Sequence, residues 1–434
     1  MSDSLSKRGL AALNQPLRAD LELFSSAMED KYDPTGNPEG NLILCIAENL
    51  HQTDRMQAKL RQIAAGPIPG WVASYTALPG APELRQATCE MLETLLDFRG
   101  LDPENLAAAA GAAAVIELSA FLLGNPGDCV VIPGPAYMAY TPDLGHKARL
   151  QRYDLHARAR GTGGRYQIDV DDLDRAHAEL GDRFRMLLLT QPNNPTGQVF
   201  SASQLETFAD WCIERRIHMV VNEIYLFSRF NQSHPVLREC LFREGEIAFA
   251  SFLPILNRYQ SPYLHWWYAV SKDFGLSGLR LGFAYSCNDE LLKAWGNCGA
   301  PSMASNHTQW MLEEVFRDTA WTRDFLARSQ ASLTESFATV IQALEGKVAY
   351  ASAVGSLFAW FDLSDYLQAD TLEAEQVLWR RIYSESGILL TAPDGMGSPD
   401  RGWFRLVHSC VRPDELRVAM QRFSAWLEQG RSAG

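Results

Sequence analysis

Ala269–Gly282 reads AVSKDFGLSGLRLG. Lys272 closes an apolar, strand-like run (His265 to Val270), and Arg280 follows eight residues later in a glycine-flanked loop. A lysine amine at a strand end can condense with an aldehyde, and a fixed arginine can hold a phosphate. A lone Ser-Lys pair would mean little, because most lysines are solvated surface. Other segments repeat the arrangement of an apolar run followed by polar or aromatic groups. QPNNPTG (Gln191–Gly197) follows the run Met186–Thr190, VNEIY (Val221–Tyr225) closes His218–Val221, and PGPAYMAY (Pro133–Tyr140) follows Cys129–Pro133. GAAAV (Gly111–Val115) opens a helix candidate, whose free N–H groups suit an anion. In WFRL (Trp403–Leu406), Arg405 sits among apolar neighbours, and its guanidinium fork matches a planar carboxylate better than lysine would.

These residues need elements to hold them. From about residue 54 the pattern alternates helices with short apolar strands: Val115–Leu123 as a buried helix, Cys129–Pro133 and Met186–Thr190 as strands, and Ser203–Arg216 as an amphipathic helix. His218–Val221, Trp266–Val270 and Gly282–Ser286 follow as strands. This alternation predicts an α/β fold, a mostly parallel sheet covered by helices on both faces. Ligands in such sheets sit at the carboxyl ends of strands, where the residues above fall. A long helical stretch (303–344) leads into a second texture. Tyr350–Leu363, Ile388–Thr391 and Trp403–Val407 read as strands between helices, predicting a smaller α+β domain completed by Asn41–Ala47. The expected division is 1–53 as N-terminal arm and part of the small domain, 54–310 as the large domain, and 311–434 as the small domain.

Composition narrows the function classes. A chain of 434 residues with 47% hydrophobic and 21% charged residues is long and apolar enough for large cores. A net charge of -13 argues against nucleic acid. The eight cysteines are scattered without a C-x-x-C pair, so buried reduced thiols are expected rather than disulfides or a metal site. No run of about 18 apolar residues predicts a membrane span, and MSDSLSKRGLAALNQ carries no apolar leader core. A cytoplasmic protein is expected.

The motifs together resemble the class I/II aminotransferase superfamily, the fold type I enzymes that use pyridoxal 5′-phosphate. The resemblance covers about residues 30–425. It implies a large domain with a seven-stranded sheet and a homodimer with shared active sites acting on a small amino acid. Lys272 would form the Schiff base and later serve as general base. Arg280, Ser271 and the backbone of Ala113, Ala114 and Val115 would meet the phosphate. Tyr137 would stack on the ring, Asn194 and Tyr225 would reach its phenolic oxygen, and Arg405 would bind the substrate α-carboxylate. Tyr75, in ASYTALPG, would reach the neighbouring subunit's phosphate. Within the superfamily the chain is most similar to 1-aminocyclopropane-1-carboxylate synthases. NPEGNLILCIAEN (Asn37–Asn49), VSKDFGLSGLRLG and GWFR (Gly402–Arg405) match their motifs. There Ala47, Glu48 and Asn49 would line the substrate site, with Glu48 either facing a cationic group such as a sulfonium or serving as a hinge carboxylate.

Three departures stand out. Gln191 replaces the first asparagine of the N-P-x-N-P-x-G pattern. Ala269 replaces a phosphate-binding serine. Asn222 replaces the aspartate that pairs with the ring nitrogen. An amide in place of a carboxylate weakens that contact by roughly 1.5–3 kcal/mol. Adjacent strand side chains point to opposite faces, so Glu223 is not expected to substitute. Asn222 is therefore either native tuning toward a weaker electron sink or a deliberate inactivating change. The resulting expectation is a lyase or γ-elimination/γ-replacement enzyme, with S-adenosylmethionine a candidate substrate. An amino-acid aminotransferase is the alternative, and a catalytically impaired binding protein a further one.

Overall fold

The structure, a computed structural model, describes residues 4–13, 20–156 and 166–432. Parts of the expected N-terminal arm (1–3 and 14–19) lie outside these. Eleven strands are described: β1 (Leu42–Leu44), β2 (Leu106–Ala109), β3 (Cys129–Pro133), β4 (Gln151–Leu155), β5 (Phe184–Thr190), β6 (His218–Asn222), β7 (Leu264–Ala269), β8 (Gly282–Ser286), β9 (Phe358–Asp362), β10 (Ile388–Leu390) and β11 (Trp403–Val407).

Seven strands form one sheet in the order β2-β8-β7-β6-β5-β3-β4. Neighbours from β7 through β4 pair in parallel, and β8 runs antiparallel to both β7 and β2. This is the mostly parallel α/β sheet expected. Its central strands are apolar on both faces because helices cover both. Every residue of β5 except Arg185 is buried, as is all of β6 and β7. One core lies on each face. Leu187, Leu189, Trp266 and Tyr268 point to one side, and Leu188, Val220 and Trp267 to the other. Ser201 and Gln204 form a capping box that starts the helix Ala202–Arg215.

A second packing unit gathers the chain ends. β1 pairs in parallel with β10, and β9 with β11 antiparallel. Leu42, Leu44, Leu389, Phe404 and Phe361 share a core with the helices Thr319–Leu344, Leu372–Ser386 and Pro413–Ser432.

Two expected elements change shape. The helical stretch 303–344 breaks into Asn306–Arg317 and Thr319–Leu344. Asp318 interrupts it as a cap, accepting from Trp321 N at 3.1 Å while holding Lys59 Nζ at 2.6 Å. The run expected as the strand Tyr350–Leu363 pairs continuously only over Phe358–Asp362. Its earlier part is drawn away to the QPNNPTG turn, where Val354 N donates to Gly197 O at 2.8 Å. Gly197 has φ +67, and a Cβ there would lie 2.4 Å from Ala353 Cβ, so only glycine allows this approach.

All eight cysteines are free. Cys45, Cys89, Cys129 and Cys212 are buried, whereas Cys298 is exposed. Among the described residues no helix is long and apolar enough to cross a membrane.

Candidate active site

The carboxyl ends of β5, β6 and β7 open onto a cavity of about 250 Å³. Its wall contains Lys272, Ser271, Arg280, Asn222, Tyr225, Asn194, Tyr137, Ala113, Arg405, Ala47 and Glu48. Residues up to 358 positions apart in sequence, Ala47 and Arg405, thus meet where the sheet leaves its strand ends open.

Lys272 lies one turn past β7, in the short helix Val270–Asp273. Its Nζ donates to the Ala47 carbonyl at 2.5 Å. Asn49 Nδ2 reaches the Lys272 carbonyl at 3.3 Å and Ser329 Oγ at 3.0 Å, tying the AEN segment to the lysine. Asp273 is buried beside it and accepts from Phe227 N, Ser228 Oγ and the Tyr268 hydroxyl. Burial pushes the Asp273 carboxyl up to about 7.

One end of the cavity suits an anion. The helix Ala112–Leu123 starts there, and Val115 N is the first to find an intrahelical acceptor, Gly111 O at 3.1 Å. Helix geometry leaves the N–H groups of Ala112, Ala113 and Ala114 without one. Arg280 packs across this start, with Nη1 on Ser277 O at 2.9 Å. Gly111 makes that possible: it has φ +89, and a Cβ on it would sit 2.4 Å from Arg280 Nη2. A guanidinium beside a bare helix N-terminus, near a lysine amine, fits a phosphate-bearing aldehyde. Ala269 is fully buried, so no hydroxyl reaches the cavity from the position of the usual serine, whereas Ser271 is on the wall.

At the opposite side Arg405 is 3% exposed. Its Nη1 donates to Asn194 Oδ1 at 2.8 Å, its Nε donates to Thr391 Oγ1 at 3.1 Å, and its guanidinium lies 4.6 Å from the Phe358 ring centre. Asn194 Nδ2 in turn faces the Tyr225 hydroxyl at 3.4 Å. Glu48 Oε1 accepts from Ser277 Oγ at 2.8 Å on the same wall.

Asn222 and Glu223 part at the end of β6. Asn222 lines the cavity, and Glu223 is fully buried elsewhere. The Glu223 carboxylate accepts from Gln191 Nε2, Ser251 Oγ, Phe252 N and Trp266 Nε1, at 2.6–2.8 Å. Burial raises its affinity for a proton and the four donors oppose that. The substitution at Gln191 therefore serves this inner network, not the cavity.

Four sequence candidates are not on the wall, among them Asn49, whose amide is turned to Ser329. Val115 is buried in the core under its helix, and its N–H is engaged by Gly111. Ala114 lies beside it, off the wall. Tyr75 is fully exposed on this single chain. Conversely, the wall includes Tyr140, Thr190, Asp143 and Ser277, which sequence reading did not single out. Tyr140 stood inside the PGPAYMAY motif, so a signal existed. Thr190 ends the run before QPNNPTG, a strand-end position, whereas Asp143 had no signal, since its neighbours in sequence are ordinary helix residues. Asp143 is pushed up to about 6, by burial and by Glu117 nearby.

Residues 42–423 match the family described as aminotransferase class I and II. The chain belongs to that family. It is a pyridoxal phosphate-dependent enzyme of fold type I. Its sequence is 29% identical over 417 residues to 1-aminocyclopropane-1-carboxylate synthase 1 of Prunus mume, covering 93% of this chain and 81% of that one. It is 28% identical over 431 residues to the Mus musculus protein named "Probable inactive 1-aminocyclopropane-1-carboxylate synthase-like protein 2", covering 97% of this chain and 72% of that one. Among solved structures, aspartate aminotransferase from Thermus thermophilus with maleate superposes with a TM-score of 0.77 at 19% identity, over 98% of this chain and 100% of that chain. At that identity the likeness concerns the fold.

Proposed function

We propose that this aminotransferase-family enzyme acts on an α-amino acid as a lyase or γ-elimination/γ-replacement enzyme similar to the 1-aminocyclopropane-1-carboxylate synthases. S-adenosylmethionine is the leading candidate substrate. The observation that carries the reading is the single cavity bounded by a lysine amine, a buried arginine fork and a neutral asparagine.

The cofactor, when bound, supplies an aldehyde for the lysine and an electron sink for negative charge at the substrate α-carbon. The chain supplies the rest. Arg280 and the N–H groups at the start of Ala112–Leu123 hold the phosphate. Asn194 and Tyr225 orient the phenolic oxygen, and Tyr137 covers the ring. Arg405 takes the substrate carboxylate and so sets which bond at the α-carbon faces Lys272. The Lys272 amine would remove the α-proton as general base. Glu48, held by Ser277, offers a carboxylate on the wall to a cationic group such as a sulfonium. Tyr75, fully exposed here, is free to complete the site of a second copy, so we assign the working form to a homodimer.

Asn222 supports elimination over transamination, because an amide there would leave the ring a weaker electron sink than a carboxylate would. A plain aminotransferase is the second reading, favoured by the intact Asn194–Tyr225–Arg405 set. The test is to incubate the loaded enzyme with S-adenosylmethionine and a panel of amino acids. Release of methylthioadenosine, without conversion of the cofactor to its amine form, is expected. A keto acid matched by that conversion would overturn the lyase reading.

A further inference from the structure

Asn222 ends β6 on the cavity wall, and two partners orient its amide. The backbone N–H of Ile224 can only donate, so the Asn222 atom 3.2 Å from it must be the oxygen, Oδ1. Nδ2 therefore faces the Tyr140 hydroxyl, at 2.9 Å. That hydroxyl, accepting from the amide, has its own proton to give, and Thr190 Oγ1 lies 2.6 Å away to take it. The chain of donors runs one way, from Asn222 through Tyr140 to Thr190, and both end groups are buried.

An amide nitrogen carries two protons. Tyr140 takes one, and among the described residues no group takes the other. Asn222 lines the cavity, so this second N–H is available to a ligand that accepts there. A pyridine nitrogen accepts only when it carries no proton. A protonated one is itself a donor and would meet the Asn222 N–H head on. We propose that Asn222 donates its second N–H to the ring nitrogen of bound pyridoxal phosphate and keeps that nitrogen unprotonated, with Tyr140 as the positioning residue that sets the amide's orientation.

The charged groups around this point do not reverse the assignment. Asp143, on the helix Tyr140–Gly145, lines the same cavity but makes no hydrogen bond to Asn222. Glu117, on the helix Ala112–Leu123, pairs with Lys147 at 2.5 Å. Glu223 is held on the far side by its four donors, and Arg405 lies with Asn194. Burial pushes the Tyr140 phenol up to about 12, so it stays neutral.

The inference rests on the reading that the cofactor binds at Lys272, and the experiment separates the two. The full chain is loaded with pyridoxal 5′-phosphate labelled with ¹⁵N in the ring, and the ring nitrogen shift is read by NMR. The expected result is the shift of a neutral pyridine, constant across neutral pH. Asn222→Asp should move it to the pyridinium position. Tyr140→Phe should release the amide and make the shift vary with pH. A pyridinium shift in the unaltered chain overturns the proposal while the cofactor reading stands. An unchanged shift in Tyr140→Phe overturns the role of Tyr140. A chain that gains no visible absorption band with the cofactor, and behaves the same as Lys272→Ala, overturns both readings.

Discussion

Arg405 Nη1 lies 2.8 Å from Asn194 Oδ1, and the other end of the same amide faces the Tyr225 hydroxyl. One asparagine thus joins the group proposed for the substrate carboxylate to a group proposed for the cofactor. Asn194→Asp puts a carboxylate against the guanidinium and makes a buried ion pair that competes with the substrate. The expected outcome is a KM for the amino acid raised at least about tenfold, with Arg405→Lys costing about 1.5–3 kcal/mol in kcat/KM through the lost fork. Steady-state kinetics of both variants check this, and an unchanged KM in Asn194→Asp removes Arg405 from the carboxylate site.

Gly111 and Arg280 share space that no side chain on residue 111 can enter, given the 2.4 Å separation and φ +89. Gly111→Ala should displace the guanidinium and weaken cofactor retention about tenfold or more, equivalent to about 1.4 kcal/mol. Titration of the apoprotein with pyridoxal phosphate, followed by visible absorbance, measures it. Wild-type retention in the variant would mean that Arg280 does not hold the phosphate.

Glu223 is the acceptor for four donors on the face of the sheet away from the cavity. Glu223→Gln turns one accepting oxygen into a donor facing donors. A loss of about 2–4 kcal/mol in stability is expected, read as a lower urea midpoint at unchanged slope. A midpoint within error of the parent would show that the network tolerates an amide.

His51 is pushed down to about 4 by burial, against which the Val411 backbone acts only weakly. Its folded value lies below the unfolded one of about 6.5, so the unfolded state binds more protons between the two. Its contribution is therefore complete above pH ~6.5 and declines as pH falls toward ~4, by at most about 3 kcal/mol. His408, buried against it and also lowered, adds to the same slope. His51→Phe should flatten the loss of stability between pH 7 and pH 5 in denaturant titrations. An identical slope in parent and variant would place the acid sensitivity elsewhere.

The amino-acid pattern by itself marked the sheet and singled out Lys272, Arg280 and Arg405, and the resemblance to a family supplied the roles proposed for them. The sheet and Lys272 rest on a local rule: apolar runs make buried strands, and polar groups that follow those runs fall at strand ends. It also separated Asn222 from Glu223, because strand side chains alternate. Tertiary structure alone decided the partners. That Gln191 and Trp266 satisfy Glu223, that Tyr140 and Thr190 orient Asn222, and that Ala47 receives the Lys272 amine all depend on pairings across 32 or more residues. Phe227 N likewise reaches the Asp273 carboxylate across 46 residues. Local sequence fixes which backbone and side-chain groups exist. Only the packed fold decides which buried donor must find which acceptor, because a polar group removed from water is satisfied by whatever the distant chain brings to it.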